Sequence, residues 1–214
     1  MLILIGVIWP AAQFTFLQSQ FDLTKNVSNP LYEIYFPTML IQLATLLLIL
    51  VAVRSEGSQL FSVGMTKFNR WTILQAAIFF VAANALLSLV QLAVALESPK
   101  SFAEIATLLP RTSFERVIWV IMCVIVAFCE EMTFRGYLIT RISHFAKGRI
   151  WLGVLIATVS FASGHLYQGF GGFFLIFIYG LMFAGLYVYT GSLYPCIIAH
   201  FLQDVSVLFI PGLK

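Results

Sequence analysis

Three polar clusters interrupt an otherwise apolar second half of the chain. The first runs Cys129-Glu-Glu-Met-Thr-Phe-Arg-Gly136 and sets two adjacent carboxylates ahead of an arginine. On a helix Glu131 and Arg135, four apart with the acid first, share one face in the favourable order. Glu130 then lies about 100° round the helix, so Arg135 can neutralise Glu131 and leave Glu130 for chemistry. The second cluster, Phe161-Ala-Ser-Gly-His165, repeats the four-residue spacing, and its small Ser163 and Gly164 let another helix approach closely. The third, His200-Phe-Leu-Gln-Asp204, again points two polar side chains the same way.

Together these groups suit one reaction. A carboxylate and an imidazole can hold a water molecule between them; Glu130, with His165, takes its proton as general base while the water attacks a carbonyl. His200 with Asp204 can stabilise the tetrahedral oxyanion and the leaving amine. The same four residues, Glu130, His165, His200 and Asp204, are also possible zinc ligands. Their spacing does not follow His-Glu-x-x-His, so the sequence leaves a metal cofactor open. Plainer readings stand beside these. Glu131–Arg135 can be a structural salt bridge, a lone membrane histidine an interhelical hydrogen-bond partner, and Phe161 a packing residue that shapes the site.

The setting makes scattered charge expensive. Of 214 residues, 61% are hydrophobic and only 10% charged, with mean hydropathy +0.97; soluble domains carry about 25% charged residues. The chain is expected to be an integral membrane protein. Its apolar runs are long and continuous, which favours an all-α, polytopic transmembrane helix bundle over a barrel of short alternating segments. Charged residues within such helices are functional candidates by default. The net charge of +3 reports topology here, and no nucleic-acid partner is expected. The expected partners are the lipid bilayer and a peptide or protein substrate within it. Cys123, Cys129 and Cys196 lie in or beside apolar stretches without CxxC spacing and read as small hydrophobes.

About seven membrane helices can be drawn: Leu2–Leu17, Phe36–Val53, Thr72–Leu96, Val117–Phe128, Ile150–Leu166, Gly172–Tyr189 and Tyr194–Ile210. The start, Met-Leu-Ile-Leu-Ile-Gly, has no basic region and reads as a first membrane helix, kinked at Pro10. Arg54, Lys67 and Arg70 mark the second loop, and Arg141, Lys147 and Arg149 the fourth. The positive-inside rule places both, with the N-terminus, in the cytoplasm. If the fourth helix continues past Arg135 to about Phe145 and turns at Lys147–Arg149, Glu130 and His165 each lie ~25 Å from that turn. Antiparallel neighbours would then hold them at one level. Asn84 and Gln91 read as helix–helix glue, and Gly180 with Ala184 as a close-packing pair.

Glu-Glu-x-x-x-Arg, Phe-x-x-x-His and His-x-x-x-Asn/Asp, in that order on successive helices, resemble the CPBP family. That family includes the type II CAAX prenyl endopeptidases and the bacterial abortive-infection and bacteriocin-immunity proteins. The resemblance runs from about Arg116 to Val205. It divides the membrane domain into N-terminal helices (1–115), which align with nothing specific, and a catalytic core (116–214). It implies an intramembrane, glutamate-dependent endopeptidase with an all-helical fold; the short, compact chain points to a bacterial cytoplasmic membrane. Glu130, His165, His200 and Asp204 would be catalytic, with Glu131, Arg135 and Phe161 in support. Prenyl proteases of this family tend to have Asn where this chain has Asp204, and an ionised Asp cannot donate to an oxyanion. Asp204 would then be protonated, orient His200 or bind metal. The rival classes are a non-catalytic membrane binding or immunity protein that keeps the polar cluster, and a transporter using it as a proton relay.

Overall fold

A computed structural model describes residues 8, 11, 29–94, 108–166 and 169–209. Among these the chain is helical, with no strand. We number the helices α1 (Leu31–Ser55), α2 (Arg70–Val94), α3 (Ser113–Phe145), α4 (Ile150–Ser163), α5 (Gly169–Thr190) and α6 (Tyr194–Ser206). By length and composition α1, α2, α3 and α5 can each cross a membrane, while α4 and α6 are shorter apolar helices. The expected first segment, Leu2–Leu17, lies outside the described residues apart from Ile8 and Ala11.

Local chemistry sets the helix ends. α3 starts at a capping box: the Thr112 hydroxyl accepts from the Glu115 N–H at 3.1 Å, and the Glu115 carboxylate takes the Thr112 N–H at 3.1 Å. Four orphan donors open every helix, and the box satisfies two of them reciprocally. At the start of α1 the turns of Leu31–Tyr35 are π-helical and lead into Pro37. Proline lacks an N–H and crowds the carbonyl four residues back, which a wider turn accommodates.

The defining irregularity lies in α3. It begins as an α-helix over Ser113–Glu130, becomes π-helical over Glu131–Ile139 and returns to α over Thr140–Phe145. The uniform α-helical spacing expected from the sequence therefore ends at Glu130. Hydroxyls bond back along this stretch, Thr133 to the Cys129 carbonyl at 2.7 Å and Thr140 to the Gly136 carbonyl. Such back-bonds give the backbone an alternative to the regular ladder. Every residue from Glu131 to Ile139 is buried. As expected, the helix carries on to Phe145, and α4 returns after a tight turn in which Lys147 and Gly148 have positive φ.

α4 packs against both the π-helical stretch and α5; α6 lies between α2 and α3, and α1 packs on α3. Two glycines let α4 and its neighbours approach closely. A Cβ at Gly153 would sit 2.5 Å from the Ile139 carbonyl and also overlap the Ser143 hydroxyl. One at Gly180 would lie 2.9 Å from Thr158 Cγ2 and 3.2 Å from the Phe161 ring. On the far faces, Leu40, Leu47, Ile78, Val81 and Val124 are exposed. Apolar residues on an outer helix face belong against lipid, where only internally hydrogen-bonded backbone is tolerated.

Gly153→Val should therefore force α4 away from α3 and cost about 1–3 kcal/mol, typical of an overpacked contact. Its thermal midpoint in detergent should fall below wild type. Gly185→Ala, where a Cβ meets nothing within 4 Å, should hold or raise it.

Candidate active site

The three sequence clusters meet through α3 and α6. Glu131, at the first π-helical position, is fully buried, and Arg135 is 2% exposed. Arg135 Nη1 donates to Glu131 Oε1 at 2.9 Å, the expected i,i+4 pair. The guanidinium also sits over two aromatic faces, 4.4 Å from the Phe161 ring centroid and 5.2 Å from that of Phe183. Its Nη2 reaches the Gly180 carbonyl at 3.4 Å. A weakly hydrated, planar cation suits that aromatic slot. Phe161 thus supports the cation as well as packing, and Phe183 is an aromatic partner with no motif to announce it.

His200 enters from the middle of α6. Its Nδ1 lies 2.8 Å from the same Glu131 oxygen, Oε1. A carboxylate only accepts, so Nδ1 carries a proton to it and Nε2 faces the other way. There Nε2 is 3.6 Å from Asp204 Oδ2 and 3.8 Å from Glu130 Oε2. Glu131 Oε2 is buried without a hydrogen-bond partner among the described residues. Glu130 itself is held from α1, where Gln42 Nε2 donates to its Oε1 at 2.8 Å. Glu130, Glu131, Arg135, His200 and Asp204 therefore form one cluster.

His165 stands just past the end of α4, because helical hydrogen bonding stops at Ser163 rather than at the expected Leu166. Its Nδ1 meets the Phe161 carbonyl at 3.0 Å and its ring centroid lies 4.9 Å from that of Phe161. A carbonyl only accepts, so Nδ1 carries the proton and Nε2 is the basic nitrogen. His200, Asp204 and Arg135 are among its charged neighbours.

Two further amides join the site's edge. Asn84 on α2 donates to Gln203 Oε1 at 2.8 Å, and Tyr179 on α5 donates to the same oxygen at 3.0 Å. Asn84 therefore bridges helices. Gln42 and Gln203 were not distinguishable by spacing from other polar residues in apolar runs. The one legible signal is their cost: a buried amide inside a membrane helix needs a partner. Beside the Glu130 contact, an apolar cavity of about 400 Å³ opens between α1, α3 and α6, walled by Leu43, Leu46, Phe128, Cys129, Ile197 and Phe201 among others.

The zinc set considered above, Glu130, His165, His200 and Asp204, finds no support in this arrangement. Among the described residues no three His, Cys, Asp or Glu side chains are disposed to hold a metal ion. The three cysteines are free and buried.

Residues 112–206 match the family model described as type II CAAX prenyl endopeptidase, Rce1-like. The match begins at the Thr112 cap of α3 and closes at Ser206, the last residue of α6. No curated protein and no solved structure matches the chain.

Removing the buried cation should be costly whatever the reaction. Arg135→Met leaves Glu131 buried and half-paired, and should lower stability by about 3–5 kcal/mol. The double variant Glu131→Gln/Arg135→Met should regain part of that loss. Unfolding of the purified protein in mixed detergent micelles measures both.

Proposed function

We propose that this integral membrane protein, whose residues 112–206 match the family model of the Rce1-like type II CAAX prenyl endopeptidases, is an endopeptidase acting on a membrane-associated or hydrophobic peptide. Glu130, His165, His200 and Asp204 are its catalytic groups in this reading, and Glu131, Arg135 and Phe161 position them. The observation that carries it is the pairing of Glu130 Oε2 with His200 Nε2 across 3.8 Å. That gap is too long for a direct hydrogen bond. It suits a triangle in which one water oxygen meets both atoms at about 2.8 Å.

The steps follow from the groups. Glu130 takes a proton from water, with His165 Nε2 orienting it, and the hydroxide oxygen bonds to the peptide carbonyl carbon. His200 acts as an imidazolium: its Nδ1–H is held by Glu131, and its Nε2–H donates to the resulting oxyanion. Asp204, 3.6 Å from His200 Nε2, faces the imidazole, which supports an orienting role, one that an ionised Asp can fill without donating. As the C–N bond breaks, Glu130 passes its proton to the departing amine.

The same reading places the chain in a bacterial cytoplasmic membrane with its N-terminus inside. One contact supports a common side for the two basic loops. Arg141 at the end of α3 donates to Glu56 after α1 at 2.8 Å and to the Ser62 hydroxyl at 3.0 Å.

Glu130→Gln keeps size and polarity but cannot take a proton. It should lower kcat by at least about 10²-fold with an unchanged thermal midpoint. The assay is cleavage of an internally quenched peptide, with and without a farnesylated cysteine near its C-terminus, by protein in lipid nanodiscs. Cleavage by Glu130→Gln at the wild-type rate overturns the reading. A rate that depends on the farnesyl group identifies the prenylated substrate class.

A further inference from the structure

Gln42 lies outside the residues that match the family, yet it touches the proposed general base. It sits near the middle of α1 and is 5% exposed. Its amide nitrogen donates to Glu130 Oε1 at 2.8 Å. An ionised carboxylate only accepts, so the NH₂ end of the amide must face it. The other polar residue buried on the same face, Thr45, bonds the Ile41 carbonyl of its own helix at 2.8 Å. Leu43 and Leu46 beside it wall the apolar cavity. A glutamine facing that interior is expensive unless its amide is used.

The contact also selects a geometry. A free glutamate side chain has several rotamers and can present either oxygen. Fixing Oε1 to α1 turns Oε2 towards His200 Nε2, at 3.8 Å. We propose that Gln42 is the positioning residue for the general base: its amide pins one oxygen of Glu130 so that the other faces the attacking water. The inference rests on the peptidase reading above. It assigns to the N-terminal helices a part in the reaction, not only in anchoring. Because Gln42 holds the base and not the peptide, its loss acts on turnover and leaves substrate affinity unchanged.

Two substitutions separate positioning from packing. Gln42→Met fills nearly the same volume without a donor, and Gln42→Asn keeps the amide but withdraws it by one methylene. In nanodiscs, with the quenched peptides, Gln42→Met should lose about 10- to 100-fold in kcat, the scale of a misplaced reacting group. Its KM should stay within about twofold. Gln42→Asn should lose less than Gln42→Met. Wild-type kcat in Gln42→Met, or higher activity in Met than in Asn, overturns the proposal, since packing alone would rank the variants that way. An infrared measurement decides the contact without any turnover. The carboxylate stretch of Glu130, isolated as wild type minus Glu130→Gln, should shift in frequency in Gln42→Met. An unshifted band overturns the proposal. Should wild type and Glu130→Gln be equally inert on both peptides, the peptidase reading falls and the infrared comparison still rules on Gln42.

Discussion

One carboxylate oxygen, Glu131 Oε1, takes both the Arg135 guanidinium and the His200 imidazole. Neither Glu131 nor Arg135 meets solvent. Taking such ions out of water costs several kcal/mol each even after relaxation, and their attraction does little better than offset that. An apolar pair of similar volume would serve stability as well or better. What the ion pair supplies is orientation. Arg135 is clasped by Phe161, Phe183 and the Gly180 carbonyl, so Glu131 is held by a fixed cation. Glu131 in turn takes the Nδ1 proton of His200 and fixes which way the ring faces. The face it frees is turned towards Glu130 and Asp204. The adjacent acids of the Glu-Glu pair thus separate: Glu131 anchors Arg135 and His200, and Glu130 turns to Gln42 and to His200 Nε2.

The widened turns of α3 begin where the two acids part. Such π-helical turns are uncommon and cluster at functional sites. Here they begin at Glu131, directly after Glu130. α4 answers them with Gly153, which lets its backbone come against the Ile139 carbonyl at their far end. Phe134, within the stretch, meets Phe161 edge-on at 5.2 Å, and Phe161 carries Arg135. Distortion of the helix and placement of the cation are thus connected through one aromatic contact.

Much of this was legible. Length and hydropathy separate the late helices cleanly, because a span of lipid leaves little choice of element. The i,i+4 spacing of Glu131 with Arg135 forecasts their pairing, and the three ordered motifs lie within the residues that match the family model. Thr112-Ser-Phe-Glu115 also spells a capping box, a signal that moves the start of α3 from Val117 to Ser113. The π-helical stretch was not legible, since its causes, two hydroxyl back-bonds and a glycine on a neighbouring helix, carry no period. The end of α4 before His165 escaped for a related reason: Gly164 is compatible with either a close contact or a helix stop. Gln42 was invisible because its partner lies 88 residues away.

That last distance bears on how the protein is divided. The matched family unit, α3 to α6, contains every motif residue, and from sequence the preceding helices look like plain membrane anchors. Yet each of the two described helices before it places an amide against a polar side chain of that unit, Gln42 on Glu130 and Asn84 on Gln203. In a bilayer there is no water to stand in for a missing donor, so a carboxylate or amide at that depth takes its partner from whichever helix is adjacent. Motifs mark the polar groups of the later helices; the earlier helices, free of motif, bring amide donors to the same depth. A glutamine at position 42 supplies such a donor without any recognisable pattern around it, and a cluster read from motifs alone is short of the amide that Glu130 bonds.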